Sequence, residues 1–182
     1  MMTAGAPAWN YVLLKRLLAG ERLPAMIVDL DVFDANVRRL VAVARARGKT
    51  LRPASKSLRV PDLLMRVAEV GGADVRGVMC FAVEEARLLA SLGFDDLLVA
   101  YPTVQESDLA VAWDLTHAGR QLTLMIDDPV HVERLAGFWR GRGARPPLRV
   151  CVDVDMSWRP LGRHVGVQRS PIRTIEIGRA HV

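Results

Sequence analysis

TLRPASKSLRVP, residues Thr50 to Pro61, is a strand leading into a helix through a turn that contains no glycine. Around it the pattern alternates. Pro61 opens a helix that runs to the Gly71-Gly72 stop, since proline is well tolerated in a first turn. Gly77–Val83 (GVMCFAV) is a short apolar strand entering a helix that ends near Gly93, and Leu97–Tyr101 (LLVAY) is the next strand. Thr103 and Glu106 have the spacing of a capping box for a helix through about His117. Gln121–Asp127 is a further strand, followed by Asp128 as cap and Pro129 at the first helical position. That helix ends in the turn-rich Gly141–Pro147, and Leu148–Val154 is a strand with Leu148, Val150, Val152 and Val154 on one face.

Five short apolar strands alternating with helices predict parallel strands joined by crossovers. An open doubly wound sheet and a (β/α)8 barrel both satisfy that order. A dinucleotide-binding sheet would place G-x-G-x-x-G in its first strand-to-helix turn. Ser55-Lys56-Ser57-Leu58-Arg59-Val60-Pro61 has neither that motif nor a phosphate-cradling P-loop. The fold class predicted is therefore α/β, a partial (β/α)8 TIM barrel with about five of eight units. Upstream, Ala25–Leu30 (AMIVDL) reads as a strand. Asp31–Arg47 reads as a helix, with Phe33, Val37, Leu40, Val41 and Ala44 at helical spacing, Asp31 as cap and Gly48 as stop. Ala8–Leu18 reads as a short helix ending at Gly20.

Composition agrees with a globular domain. The 182 residues are 51% hydrophobic and 25% charged, which excludes disordered, collagen-like and disulfide-scaffold classes. A formal charge of +5 comes from 25 Lys+Arg against 20 Asp+Glu. The arginines are spread along the chain rather than clustered, so neither a nucleic-acid nor a membrane partner is expected. No run reaches the roughly 18 apolar residues of a membrane span. Nor does the N-terminus have the order of a signal peptide. Cys80 and Cys151, both inside apolar runs, read as buried free thiols of a cytoplasmic protein. Lysine is scarce, at Lys15, Lys49 and Lys56 only.

Parallel α/β folds carry their sites at the C-terminal ends of the strands. Those positions hold Lys56, Cys80-Phe81, Tyr101, Asp127-Asp128, and Asp153 with Asp155. A lysine at such a mouth can be a Schiff-base nucleophile, although position alone also suits a solvated lysine beside a helix start. Asp128 fits a helix cap. Asp153 and Asp155, at i and i+2 on one strand face, can share a site or serve as caps, and Tyr101 can be rim packing. The four histidines (His117, His131, His164, His181) form no metal-ligand pair, and His131 is expected on a surface. No G-x-S-x-G elbow marks a serine nucleophile.

Leu23–Leu64 resembles the start of the alanine racemase N-terminal-domain superfamily, the fold-type III pyridoxal phosphate enzymes. Within it the chain is similar to the D-threonine aldolase and D-serine dehydratase-like branch. The matching motifs are the strand Pro24–Asp31, the D-x-N of Asp34-Ala35-Asn36, and Leu51-Arg52-Pro53-Ala54-Ser55-Lys56. Gly77–Pro102 resembles the family's next two units. The resemblance implies that Lys56 holds pyridoxal 5'-phosphate as a Schiff base, with the ring as electron sink. It further implies cofactor contacts from Tyr101, Asp153, His164 and Arg169. His164 stands in the His164-Val165-Gly166 run, where relatives have R-x-G, with Arg163 and Arg169 as alternatives. Ala54, Ser57 and Leu58 replace the histidines and threonine common around the aldolase lysine, and the S-K-S pattern resembles the amino acid deaminase/aldolase subgroup. Leu58, Arg59 and Val60 lack the tyrosine of alanine racemases, which argues against the usual two-base racemisation.

The implied function is a lyase of aldolase or dehydratase type acting on D-amino acids or β-hydroxy-D-amino acids. The alternatives are a non-catalytic cofactor-homeostasis protein and an amino acid racemase. A whole barrel usually needs about 250 residues, so the chain reads as part of a longer protein. Residues 1–23 form an N-terminal helical extension, 24–174 the partial barrel, and 175–182 a foreign tail, since Glu176–Val182 (EIGRAHV) resembles a translated sequencing adaptor. The portion beyond would hold the phosphate-gripping loops, any divalent metal and much of a homodimer contact. The 182 residues alone are then expected to be inactive.

Overall fold

The computed structural model describes residues 10–142 and 147–173. The adaptor-like tail and part of the Gly141–Pro147 turn lie outside the described residues. The element order is α1 (Tyr11–Leu17), α2 (Leu30–Arg45), α3 (Ser55–Leu58), α4 (Pro61–Gly71), β1 (Val78–Cys80), α5 (Val83–Ser91), β2 (Leu97–Val99), α6 (Glu106–His117), β3 (Leu122–Ile126), α7 (Pro129–Arg140) and β4 (Arg149–Val152). Strands β1 to β4 pair in parallel and in sequence order. A doubly wound sheet reverses direction at a switch point; this sheet steps one way only, as a barrel wall does.

Alternation along the strands makes the two faces unlike. Val78, Cys80, Leu97, Val99, Leu122, Leu124 and Ile126 are all buried and join Leu89, Leu109, Ala112 and Leu135 from α5, α6 and α7 in one core. Met79, Leu98, Thr123 and Met125 point the other way and are only half-buried. The helices therefore cover the outer face, and the inner face of the wall stays open among the described residues. A second, smaller core of Val37, Val41 and Val67 seats α2 on α4. There Asp34 is clamped by Arg66 through bonds of 2.6 and 3.0 Å.

Several predicted details differ. Ala25–Asp29 forms no strand and pairs with nothing among the described residues, and Met26 is 97% exposed. Apolar alternation predicts a strand only where a neighbour supplies the ladder. The cap of α2 is Asp29, whose Oδ1 accepts from the N–H groups of Asp31 and Val32, not Asp31. Thr50–Ser55 is no regular strand: isolated parallel bridges join Leu51 to Val75 and Ala54 to Met79, with Pro53 between them unable to donate. Its carbonyl still accepts from the Met79 N–H.

The Thr103–Glu106 capping box does not form. Thr103 Oγ1 instead donates to Asp108 at 2.6 Å, and Gln105 caps α6 without a side-chain bond. In β4 the expected alternation fails because Val150 is 44% exposed; β4 pairs only with β3, at the edge of the sheet. The Asp128 cap of α7 is as predicted, accepting from the Val130 N–H at 2.8 Å. Cys80 is buried, but Cys151 only partly so. Among the described residues no helix is long and apolar enough to cross a membrane.

Candidate active site

The extended segment before α3 ends at Ala54, and α3 follows at once because Ser55 to Leu58 wind a single turn. Arg59 closes it in the left-handed region, its N–H bonded to the Ser55 carbonyl. This turn sets Lys56 at the C-terminal edge of the first wall position. The Lys56 Nζ lies 5.9 Å from the centroid of the Tyr101 ring, at the same edge two positions along.

Between them opens a cavity of about 440 Å³ that Lys56, Tyr101, Asp153 and Arg169 help to line. Met79 and Met125 from the inner face form an apolar floor, with Phe81 at the rim. Arg169 arrives from a distant part of the chain. The Ser170 hydroxyl donates to the Asp153 carbonyl at 2.7 Å and accepts from the Ile172 N–H, while the Asp155 N–H donates to the Ile172 carbonyl. Those bonds strap residues 170–172 against the end of β4.

Four predicted residues thus converge: Lys56, Tyr101, Asp153 and Arg169. His164 does not line the cavity. It is exposed on the loop after β4, and its Nε2 lies 2.8 Å from the Gly166 carbonyl. Asp155 does not line the cavity; its carboxylate binds Ser157 and Arg159, and these contacts hold it below the usual range, the Ser157 hydroxyl contributing most.

Residues outside the cavity lining complete the C-terminal edge of the wall; of these, Asp127 and His131 were named from sequence and Glu85 was not. Burial chiefly pushes Asp127 above the usual aspartate range, with Asp153 and Asp128 adding to it and His131 opposing. His131 is not a free surface residue: its Nδ1 lies 3.1 Å from Asp127 Oδ1 and 3.3 Å from the Asp127 N–H. One nitrogen cannot donate to the first and accept from the second at once. We assign the proton to Nδ1, because the carboxylate is nearer. Glu85, in the first turn of α5, accepts through Oε2 from the Ser55 hydroxyl at 2.8 Å and from the Phe81 N–H at 2.9 Å. Its sequence signal was only a glutamate three residues past the helix cap. Among the described residues no group of three or more His, Cys, Asp or Glu is placed to hold a metal ion.

The family model for the alanine racemase N-terminal domain matches residues 28–172. The chain belongs to that family. Membership implies pyridoxal 5'-phosphate as the cofactor and agrees with the sequential parallel wall. A D-threonine aldolase of Arthrobacter sp is 27% identical over 137 residues, covering 75% of this chain and 35% of the relative. A D-threo-3-hydroxyaspartate dehydratase of Delftia sp. (strain HT23) is 28% identical over 156 residues, covering 86% and 39%. The crystal structure of D-threonine aldolase from Filomicrobium marinum superposes with a TM-score of 0.73 at 25% identity, over 90% of this chain and 41% of that one. The chain thus spans little more than a third of the length of its curated alanine racemase-family relatives.

Proposed function

We propose that Lys56 is the amine that holds pyridoxal 5'-phosphate in a lyase of aldolase or dehydratase type. The whole protein would act on D-amino acids or β-hydroxy-D-amino acids. The observation that carries this reading is placement: of three lysines, Lys56 is the one lining the cavity at the strand ends.

The residues present fit such a group. A cavity of about 440 Å³ falls in the range of small-molecule pockets. It offers one primary amine, an aromatic face, an arginine for anionic oxygens and an apolar floor. When bound, the cofactor ring supplies an electron sink for the pair left by a broken bond at the substrate Cα.

The chain's own groups do the rest. Lys56 Nζ would hold the cofactor and, when free, would be a base at the cavity mouth. The Arg169 guanidinium can hold an anionic oxygen in place. Asp153 offers a carboxylate to a cationic or N–H group, and Met79 and Met125 exclude water from the floor. The homodimer and divalent metal of the whole protein, the boundaries 24–174 of the barrel portion and a cytoplasmic location rest on the resemblance and the composition.

Borohydride reduction in the presence of pyridoxal 5'-phosphate, followed by peptide mapping, tests the reading. A pyridoxyl label is expected on Lys56, and its absence there sinks the proposal. Labelling without turnover of any D-amino acid by the whole protein would favour the non-catalytic cofactor-binding alternative.

A further inference from the structure

Among the described residues Lys56 makes no hydrogen bond of its own through Nζ, so its direction depends on the turn that carries it. That turn is four residues long, too short to be stable alone. Of the attachments that fix it to the wall, two join it to the main chain and to the cavity rim. One is the Met79 N–H bonded to the Pro53 carbonyl at 2.9 Å. The other runs through a charged group: Ser55, 2% exposed and adjacent to Lys56, bonds to Glu85 Oε2, which also receives the Phe81 N–H. Phe81 stands at the cavity rim directly after β1. A single carboxylate oxygen thus joins the lysine turn, the end of β1 and the start of α5. The α5 N-terminus favours a negative charge there, and bonds to a charged acceptor are about twice as strong as neutral ones.

We propose that Glu85 is the positioning residue for the Lys56 amine. This rests on the reading of Lys56 as the cofactor-holding lysine. Without the carboxylate the Ser55 hydroxyl has a second acceptor, the Met79 carbonyl at 3.1 Å, so the buried serine is not orphaned and the fold persists. What is lost is the tie between the turn and the cavity rim, and with it the fixed direction of Lys56.

Pyridoxal 5'-phosphate with cyanoborohydride is the probe, and Lys15 and Lys49 are internal references in the same chain. The readout is the ratio of label on Lys56 to label on the other two, with thermal unfolding by circular dichroism alongside. Wild type is expected to favour Lys56, and Glu85→Ala to reduce that ratio by about tenfold, the loss of bonds to a charged group. Glu85→Gln, whose carbonyl oxygen can accept both bonds but without the charge, is expected to restore the ratio in part, above Glu85→Ala and below wild type. An unaltered preference for Lys56 in Glu85→Ala overturns the positioning role and leaves the cofactor reading standing. A wild-type chain with no preference for Lys56 overturns both. Should Glu85→Ala fail to fold, Ser55→Ala decides by the same ratio: a fall supports the tie, and no change refutes it.

Discussion

The Lys56 Nζ stands 5.9 Å from the centroid of the Tyr101 ring, although the two residues are 45 positions apart in sequence. Each follows the C-terminal end of its own wall position, and β1 lies between them. A cation over an aromatic face at a partly exposed site is worth about 0.5–1 kcal/mol. That attraction acts on the ammonium, whereas the free amine reacts. What Tyr101→Ala takes from the reaction is the aromatic face lining the cavity beside Lys56, so it is expected to reduce pyridoxyl labelling of Lys56 about two- to fivefold, while Tyr101→Phe keeps the ring face and stays near wild type. Equal losses in both variants would assign the role to the phenol hydroxyl instead.

Much of this arrangement was legible in the sequence. Strict alternation of short apolar strands with helices predicted the parallel wall, and the glycine-free turn at Lys56 turned the choice toward a barrel. Strand-end positions named Lys56, Tyr101 and Asp153 because strand direction alone determines which end carries them. Less legible were features that depend on what lies opposite. Ala25–Asp29 has a strand's pattern but no ladder partner among the described residues, and Pro53 breaks the first strand into bridges. Glu85 has no signal beyond that of a first-turn acid, since its link to Ser55 crosses 30 residues. His164 was placed by motif register alone, and in an exposed loop the register says little about direction.

Cys80 illustrates how a residue can border a cavity and remain inert. Burial foremost, then Glu85, push its thiol up to about 12, with Arg52 opposing. At pH 8 almost none of it is thiolate, the form that reacts. Iodoacetamide at pH 8 is expected to label the partly buried Cys151 first in the native chain, and Cys80 only on unfolding. Peptide mapping against time checks the order. Prompt labelling of Cys80 in the folded chain would contradict its burial.

At the opposite end of the wall, Gly77 has φ +59, and a Cβ there would run into the Asp96 carbonyl oxygen and the Arg52 guanidinium. Arg52 holds Asp96 at both groups: its Nη1 donates to the carbonyl oxygen, and its Nη2 lies 2.7 Å from Oδ2. Gly77→Ala thus meets a left-handed backbone penalty of about 1–2 kcal/mol and also disturbs the ion pair. A lower urea midpoint is expected, by more than Arg52→Ala alone produces. A Gly77→Ala chain as stable as wild type would show that the segment before β1 can shift freely.

Asp127 ties stability to pH through a carboxyl that folding makes harder to ionise. Burial raises its pKa most, Asp153 and Asp128 add to the effect, and His131 partly offsets it. Because the native value lies above the unfolded one, the native chain binds more protons between the two. Stability must then fall as pH rises through that window, and the full penalty persists above it. Asp127→Asn removes the charge but keeps an oxygen that can accept from His131 Nδ1. Its stability relative to wild type should accordingly increase from pH 3 to pH 7, flattening once the native carboxyl is fully ionised. His131→Ala should do the reverse, since it deletes the neighbour that most favours the carboxylate and so deepens the wild-type decline. Urea unfolding of the three chains at pH 3, 5 and 7 measures both slopes. A constant offset between Asp127→Asn and wild type across that range would mean that the carboxyl is as easily ionised folded as unfolded.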